Sequence, residues 1–245
     1  LKEILVREGK RIFRHSNYSV LCYKMRQKYK EIDNTIKKLY QSLSKNKDII
    51  SNDTVYIFGN GPSLHKIKNK KFFEKQMCFG INYSYEIIPY MNHIFVGEIE
   101  TFNKILTKVD SKKLILPLGM NYHKTSFREI IIHPEAYYYK IQNPTERLET
   151  RKISLEKDAE IFCYSTTTHS AIHIAAYMGA KNIVLIGVDY KNYPNGKVHF
   201  ESKDGGEDYS NQNWGALGKH RKGDRWITYV LETQGIKVNN ISFTI

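Results

Sequence analysis

At 245 residues with 41% apolar and 13% aromatic content, the chain can bury one continuous core, and its 18 Tyr and 11 Phe exclude an intrinsically disordered polymer. Its formal charge of +13 is concentrated, because residues 1–50 hold 13 Lys/Arg against 5 Asp/Glu. That asymmetry argues against a uniformly basic nucleic-acid surface, and no RNP sequence or zinc-finger spacing occurs. The three cysteines, Cys22, Cys78 and Cys163, are too scattered for a disulfide framework or a thiolate metal site.

In chain order, the first feature is a basic segment over residues 1–50, where Ile32, Ile36, Leu39, Tyr40 and Leu43 recur at helical spacing while Lys37, Lys38 and Lys45 take other faces. This reads as an appended helix with a solvated lysine face, which can also meet an anionic membrane surface. No apolar run of about 18 residues and no signal-peptide order is present, so the sequence as given reads as cytoplasmic, with at most peripheral contact with the cell membrane.

The main domain, 51–245, opens on Val55-Tyr56-Ile57-Phe58-Gly59-Asn60-Gly61-Pro62-Ser63-Leu64, an apolar strand running into a glycine-lined turn. Gly59 and Gly61 permit positive φ and close approach of a ligand, and Pro62 and Ser63 suit a first helical turn whose N–H groups would face an anion. The spacing is neither the dinucleotide G-x-G-x-x-G nor a Walker A loop. Further apolar runs at Cys78–Ile81, His93–Val96 and Leu114–Pro117 give the rhythm of a mostly parallel sheet, with a strand over Ala136–Tyr139 and then polar chain from Asn143 to Lys157.

A helix with a hydroxyl-rich start, Ser165 to Thr168, runs to Gly179, and Asn182–Tyr190 is a buried strand whose end carries Gly187 and Asp189. Residues 191–225 are polar and glycine-rich without periodicity and read as a lid, after which a helix over Asp224–Gln234 and a strand over Ile236–Ile241 close the chain. The fold class is α/β: one Rossmann-like, GT-A-like domain with a lid and the N-terminal helical appendage. In such sheets ligands bind beyond the carboxyl ends of the strands, where Asn60, Asn82, Glu98 and Asp189 converge.

Taken together, the Gly59–Leu64 turn and the later Ala176-Tyr177-Met178-Gly179-Ala180-Lys181-Asn182-Ile183-Val184-Leu185-Ile186-Gly187-Val188-Asp189 resemble the bacterial sialyltransferases of glycosyltransferase family 42 and the related Maf-type glycosyltransferases and pterin-pyrophosphokinase-like proteins. The resemblance covers about residues 54–241. It implies an inverting, metal-independent transfer of an acidic nonulosonic-type sugar from a CMP-sugar donor to a surface glycan or glycolipid, with no further cofactor, in a protein that is often a homo-oligomer. It also implies that Asn60, Gly61, Pro62 and Ser63 hold phosphate and ribose, and that Asn82, Thr166, Thr167, Gly187 and Asp189 line the nucleotide. Tyr190 and Tyr193, with Tyr209, are the candidates for the lid tyrosines that bind the leaving phosphate. His220 matches the catalytic histidine.

A histidine of ordinary pKa is largely neutral near pH 7 and can take a proton from an acceptor hydroxyl. His220 is the first candidate for that base, and His199, soon after Asp189, is its competitor. Helix starts at Ser63 and Thr167 would stabilise a departing phosphate. No Asp-x-Asp occurs, so no metal clamp is expected. The alternative reading is a pterin pyrophosphokinase-like enzyme using ATP and Mg²⁺, which needs rim carboxylates beyond Asp189. Two other readings are a basic nucleic-acid-binding protein and a fold relative that binds without catalysis.

Overall fold

The computed structural model describes residues 53–118, 120–121, 128–129, 133, 135–142, 147–156, 159–189 and 214–242. The appended helix, Tyr190, Tyr193, His199 and Tyr209 lie outside the described residues, as does the lid reading up to residue 213.

Among the described residues the main sheet has seven parallel strands, in the spatial order Tyr137–Tyr139, Leu114–Pro117, His93–Phe95, Met77–Ile81, Thr54–Phe58, Asn182–Ile186 and Lys237–Asn240. They are β1 (Thr54–Phe58), β2 (Met77–Ile81), β3 (His93–Phe95), β4 (Leu114–Pro117), β7 (Tyr137–Tyr139), β8 (Asn182–Ile186) and β9 (Lys237–Asn240). A separate antiparallel pair joins β5 (Met120–Asn121) to β6 (Arg128–Glu129). The apolar runs read from the sequence become these strands because a parallel sheet covered on both faces demands apolar side chains on both. Every residue of β2 and β4 is buried. The α/β Rossmann-like class therefore stands.

From β1 the chain moves outward through β2, β3, β4 and β7, then crosses back to place β8 on the other side of β1. This reversal makes a crevice at the carboxyl ends of β1 and β8, the position where open α/β sheets bind ligands. Phe58 is opposite both Gly80 of β2 and Ile186 of β8, so the turns leaving all three strands start level.

Three α-helices serve the site: α1 (Ile99–Ile105), α2 (Thr167–Tyr177) and α3 (Trp214–Thr233). Residues Thr168 to Tyr177 of α2 are all buried, since the helix is packed against β1, β2, β8 and α3. It ends in a Schellman motif: Gly179, at φ 96, donates to the Ala176 carbonyl and Ala180 to that of Ala175.

Helix α3 begins ten residues earlier than the sequence pattern indicates, at Trp214 rather than Asp224. Gly215, Gly218 and Gly223 each disfavour a helix by about 1 kcal/mol, and the charged run Lys219 to Asp224 hides the apolar stripe. Packing overrides propensity, and Gly223 shows how: a Cβ there would overlap the imidazole of His169 on α2. Residues 214–225, read from sequence as the end of a lid, are thus helical, and His220 stands on a helix instead of in a loop.

Candidate functional site

The glycine turn after β1 is closed against the turn after β8. Gly59 N–H donates to the Ile186 carbonyl (2.8 Å) and Gly61 N–H to that of Gly187 (2.6 Å). The Asp189 carboxylate then accepts from Ser63 twice, from its N–H at 3.0 Å and from Oγ at 2.5 Å. Asp189 is only 3% exposed. The group at the start of the short 3-10 helix Pro62–Lys66 is therefore the protein's own carboxylate, where the sequence reading expects a ligand anion.

The glycines serve this closure. Gly61 has φ −68, so positive φ is not what it supplies. A Cβ at Gly59 would overlap the Gly187 carbonyl, and one at Gly61 would overlap the Asp189 carboxylate. Gly187, at φ 72, does require the left-handed region and also leaves room for Leu64.

Asn60, within this clamp, and Asn82 each lie two residues past the Phe58–Gly80 pair on adjacent strands. Asn82 adopts φ 49, a left-handed turn that asparagine tolerates better than most residues. The buried Oδ1 atoms of both find no hydrogen-bond partner among the described residues. Beyond β3, a Cβ on Gly97 would overlap Thr167 Oγ1, so this glycine admits the start of α2 to the rim. Thr166 caps α2, accepting from Thr168 N–H. Glu98 is the residue at the start of α1 but does not cap it with its side chain.

His220 is brought to the same edge. Its Nδ1 lies 2.9 Å from Ser165 Oγ, immediately before the Thr166 cap. Beneath it, His169 is fully buried. The Nδ1 of His169 accepts from Ser165 N–H at 3.4 Å, which leaves its proton on Nε2, 3.2 Å from the His220 carbonyl. Asp224 Oδ1 stands 3.1 Å from that same nitrogen, near enough for attraction but outside hydrogen-bond geometry. Ser165 and His169 carry this arrangement, and motif reasoning did not single them out. The available signal was His169 and His173, four residues apart on an otherwise apolar helix.

The other buried histidines are structural. His173 Nδ1 accepts from Phe162 N–H (2.8 Å) and Nε2 donates to the Ser154 carbonyl (2.8 Å), tying the chain before α2 to the helix. Burial lowers its pKa to about 4. His93 of β3 is likewise lowered to about 4, first by burial and then by Lys113. Burial pushes the Cys78 thiol up to about 12, so it is an inert core group. Among the described residues no cluster of three His, Cys, Asp or Glu could hold a metal ion, and no helix is long and apolar enough to cross a membrane.

A family model described as 6-hydroxymethylpterin diphosphokinase MptE-like matches residues 24–195, well over half of the chain. No curated protein matches it. The family match overturns the resemblance to family 42 sialyltransferases, and with it the glycosyltransferase and sialyltransferase readings. The glycine turn misled because its glycines relieve contacts with Gly187 and Asp189 and so report the backbone of the switch point instead of the ligand. The matched range begins inside the basic N-terminal segment and ends before α3.

Proposed function

The chain belongs to the MptE-like family, and on that premise we propose that it is a diphosphokinase acting on a hydroxymethylpterin or a closely related heterocyclic alcohol. The family match over residues 24–195 carries this reading, since that range includes the β1 turn, Asn82, the start of α2 and the β8 turn with Asp189.

In this reaction the substrate's hydroxymethyl oxygen attacks the β-phosphorus of ATP. The bond from that phosphorus to the α–β bridging oxygen breaks, AMP departs, and the hydroxyl proton passes to a base. Such transfer depends on positioning and on stabilising the phosphate charge. The start of α2 supplies backbone N–H groups and the positive end of an 11-residue helix. Asn60 and Asn82 offer carboxamides at the ends of the two central strands, suited to the polar edge of a pterin or a nucleobase. His220 is the proton acceptor.

A divalent cation ordinarily joins ATP phosphates to one or two carboxylates. Both oxygens of Asp189 accept from Ser63, and among the described residues no group of three His, Cys, Asp or Glu stands together. No step is assigned to a cation.

A thermal-shift series with ATP, GTP, CMP and hydroxymethylpterin, each with and without Mg²⁺, tests the reading. Stabilisation by a nucleoside triphosphate and by the pterin is expected. Stabilisation by CMP alone would overturn it.

A further inference from the structure

The connection from β1 to β2 has an inward and an outward side set by its helix type. It runs through two short 3-10 helices, Pro62–Lys66 and Lys70–Lys75, in which residues three apart share a face. Leu64, Ile67 and Phe73 follow that spacing and turn inward: Leu64 and Phe73 are buried, and Ile67 packs half-buried against the core. Lys66, Lys68, Lys71 and Lys75 are exposed, and Lys70 is half-buried. Residues 65–75 thus carry five lysines against one acidic residue, Glu74. Among the described residues Lys68, Lys70, Lys71 and Lys75 enter no ion pair, whereas Lys108 and Lys222 elsewhere on the surface each meet a glutamate.

Phe72 breaks this pattern, because it is an apolar ring at an outward position among the lysines and is 50% exposed. Its covered side meets Tyr56 of β1 and Phe73 edge-to-face, at ring-centroid distances of 5.9 and 5.1 Å. Those contacts hold the ring at the surface. The core beneath is already closed by Phe73, which packs on both Tyr56 and Phe58, so stability does not call for a second ring there.

We infer that this face is a docking surface for an anionic lipid bilayer. Phe72 enters the boundary between headgroups and acyl chains, and the lysines around it meet acidic headgroups. A single projecting ring among lysines suits a fluid bilayer, which needs no shape-matched pocket, whereas a nucleic-acid strand is held along a groove with successive aromatic platforms. The basic segment 1–50 leads directly into β1, whose Tyr56 carries Phe72, so a second stretch of positive charge is joined to the same part of the sheet. The surface lies on a face of the sheet and not at the rim, and the inference stands whichever alcohol is the substrate.

Cosedimentation of the full chain with vesicles of phosphatidylcholine alone, and of phosphatidylcholine and phosphatidylserine in equal parts, tests the inference. Binding to the mixed vesicles only, weakened as salt is raised, is expected. Each lysine near such a surface contributes about five-fold in partition, so Lys68→Gln, Lys71→Gln and Lys75→Gln together should lower binding by about 10-fold or more. The thermal unfolding midpoint of this triple variant should match the wild type. Phe72→Ser alone should lower binding by about 5-fold, through loss of the apolar ring. Because the three lysines are exposed, their variant decides the matter even if Phe72→Ser folds poorly. A wild type that ignores the mixed vesicles, or binds phosphatidylcholine equally well, would overturn the inference. So would a triple variant that binds as the wild type does, since residues 1–50 would then supply the attraction. Tighter binding to a single-stranded oligonucleotide than to the mixed vesicles, lost in the triple variant, would also overturn it and assign the surface to nucleic acid.

Discussion

The two sides of the rim are built by different means. The clamp between the β1 and β8 turns is mostly backbone: glycine N–H groups on carbonyls, with Asp189 closing on Ser63. The α2–α3 junction is made of side chains, with His169 and Ser165 reaching a histidine more than fifty residues away. A backbone site leaves a local glycine signature, whereas a side-chain site assembled by tertiary packing leaves almost none. The first is suited to holding a fixed shape, and the second ties two helices together.

Acid should separate them most strongly. His173 supports the chain leading into α2, and His93 lies in β3; both are neutral in the fold with pKa values near 4. The unfolded chain takes up these protons near pH 6.5, so stability is intact above that value and falls as the pH drops toward 4. The loss is on the order of 3 kcal/mol for each histidine. Urea unfolding at pH 7.5 and pH 4.5 measures it, and His173→Gln should make the pH dependence shallower. Equal stability at both pH values would contradict the neutral-imidazole account.

The clamp should respond next. Asp189→Ala leaves Ser63 N–H and Oγ without their acceptor and is expected to cost about 3 kcal/mol, toward the upper end for lost bonds to a charged group. Gly61→Ala keeps the carboxylate but forces it aside, at about 2 kcal/mol, as overpacking does. Both are read from denaturant midpoints, and a Gly61→Ala protein of wild-type stability would mean that the two turns are not in contact. Lys222→Ala should do least. Lys222 pairs with Glu149 at 3.1 Å, but both side chains are about 60% exposed, and such pairs are screened by solvent. Its unfolding midpoint should match the wild type.

The sheet was legible from sequence because strands buried on both faces must be continuous apolar runs, as at Asn182–Ile186 and Met77–Ile81. The glycine-rich turn was legible as a place but not as a ligand. Its glycines relieve contacts with Gly187 and Asp189, which lie far away in the chain. The start of α3 was hidden for the same reason, since Gly223 is explained only by His169. Thr166 and Thr167 were readable as a helix start, whereas Ser165, one residue earlier, gains its meaning from His220.

Product analysis tests the central claim most directly. The full chain, incubated with ATP, Mg²⁺ and 6-hydroxymethylpterin, in its oxidised and dihydro forms, would be followed by 31P NMR and mass spectrometry. The account predicts AMP and a pterin diphosphate in equal amounts, with the product much reduced in His220→Ala. A folded wild-type protein that forms ADP and a pterin monophosphate, or leaves both substrates unchanged, would contradict it.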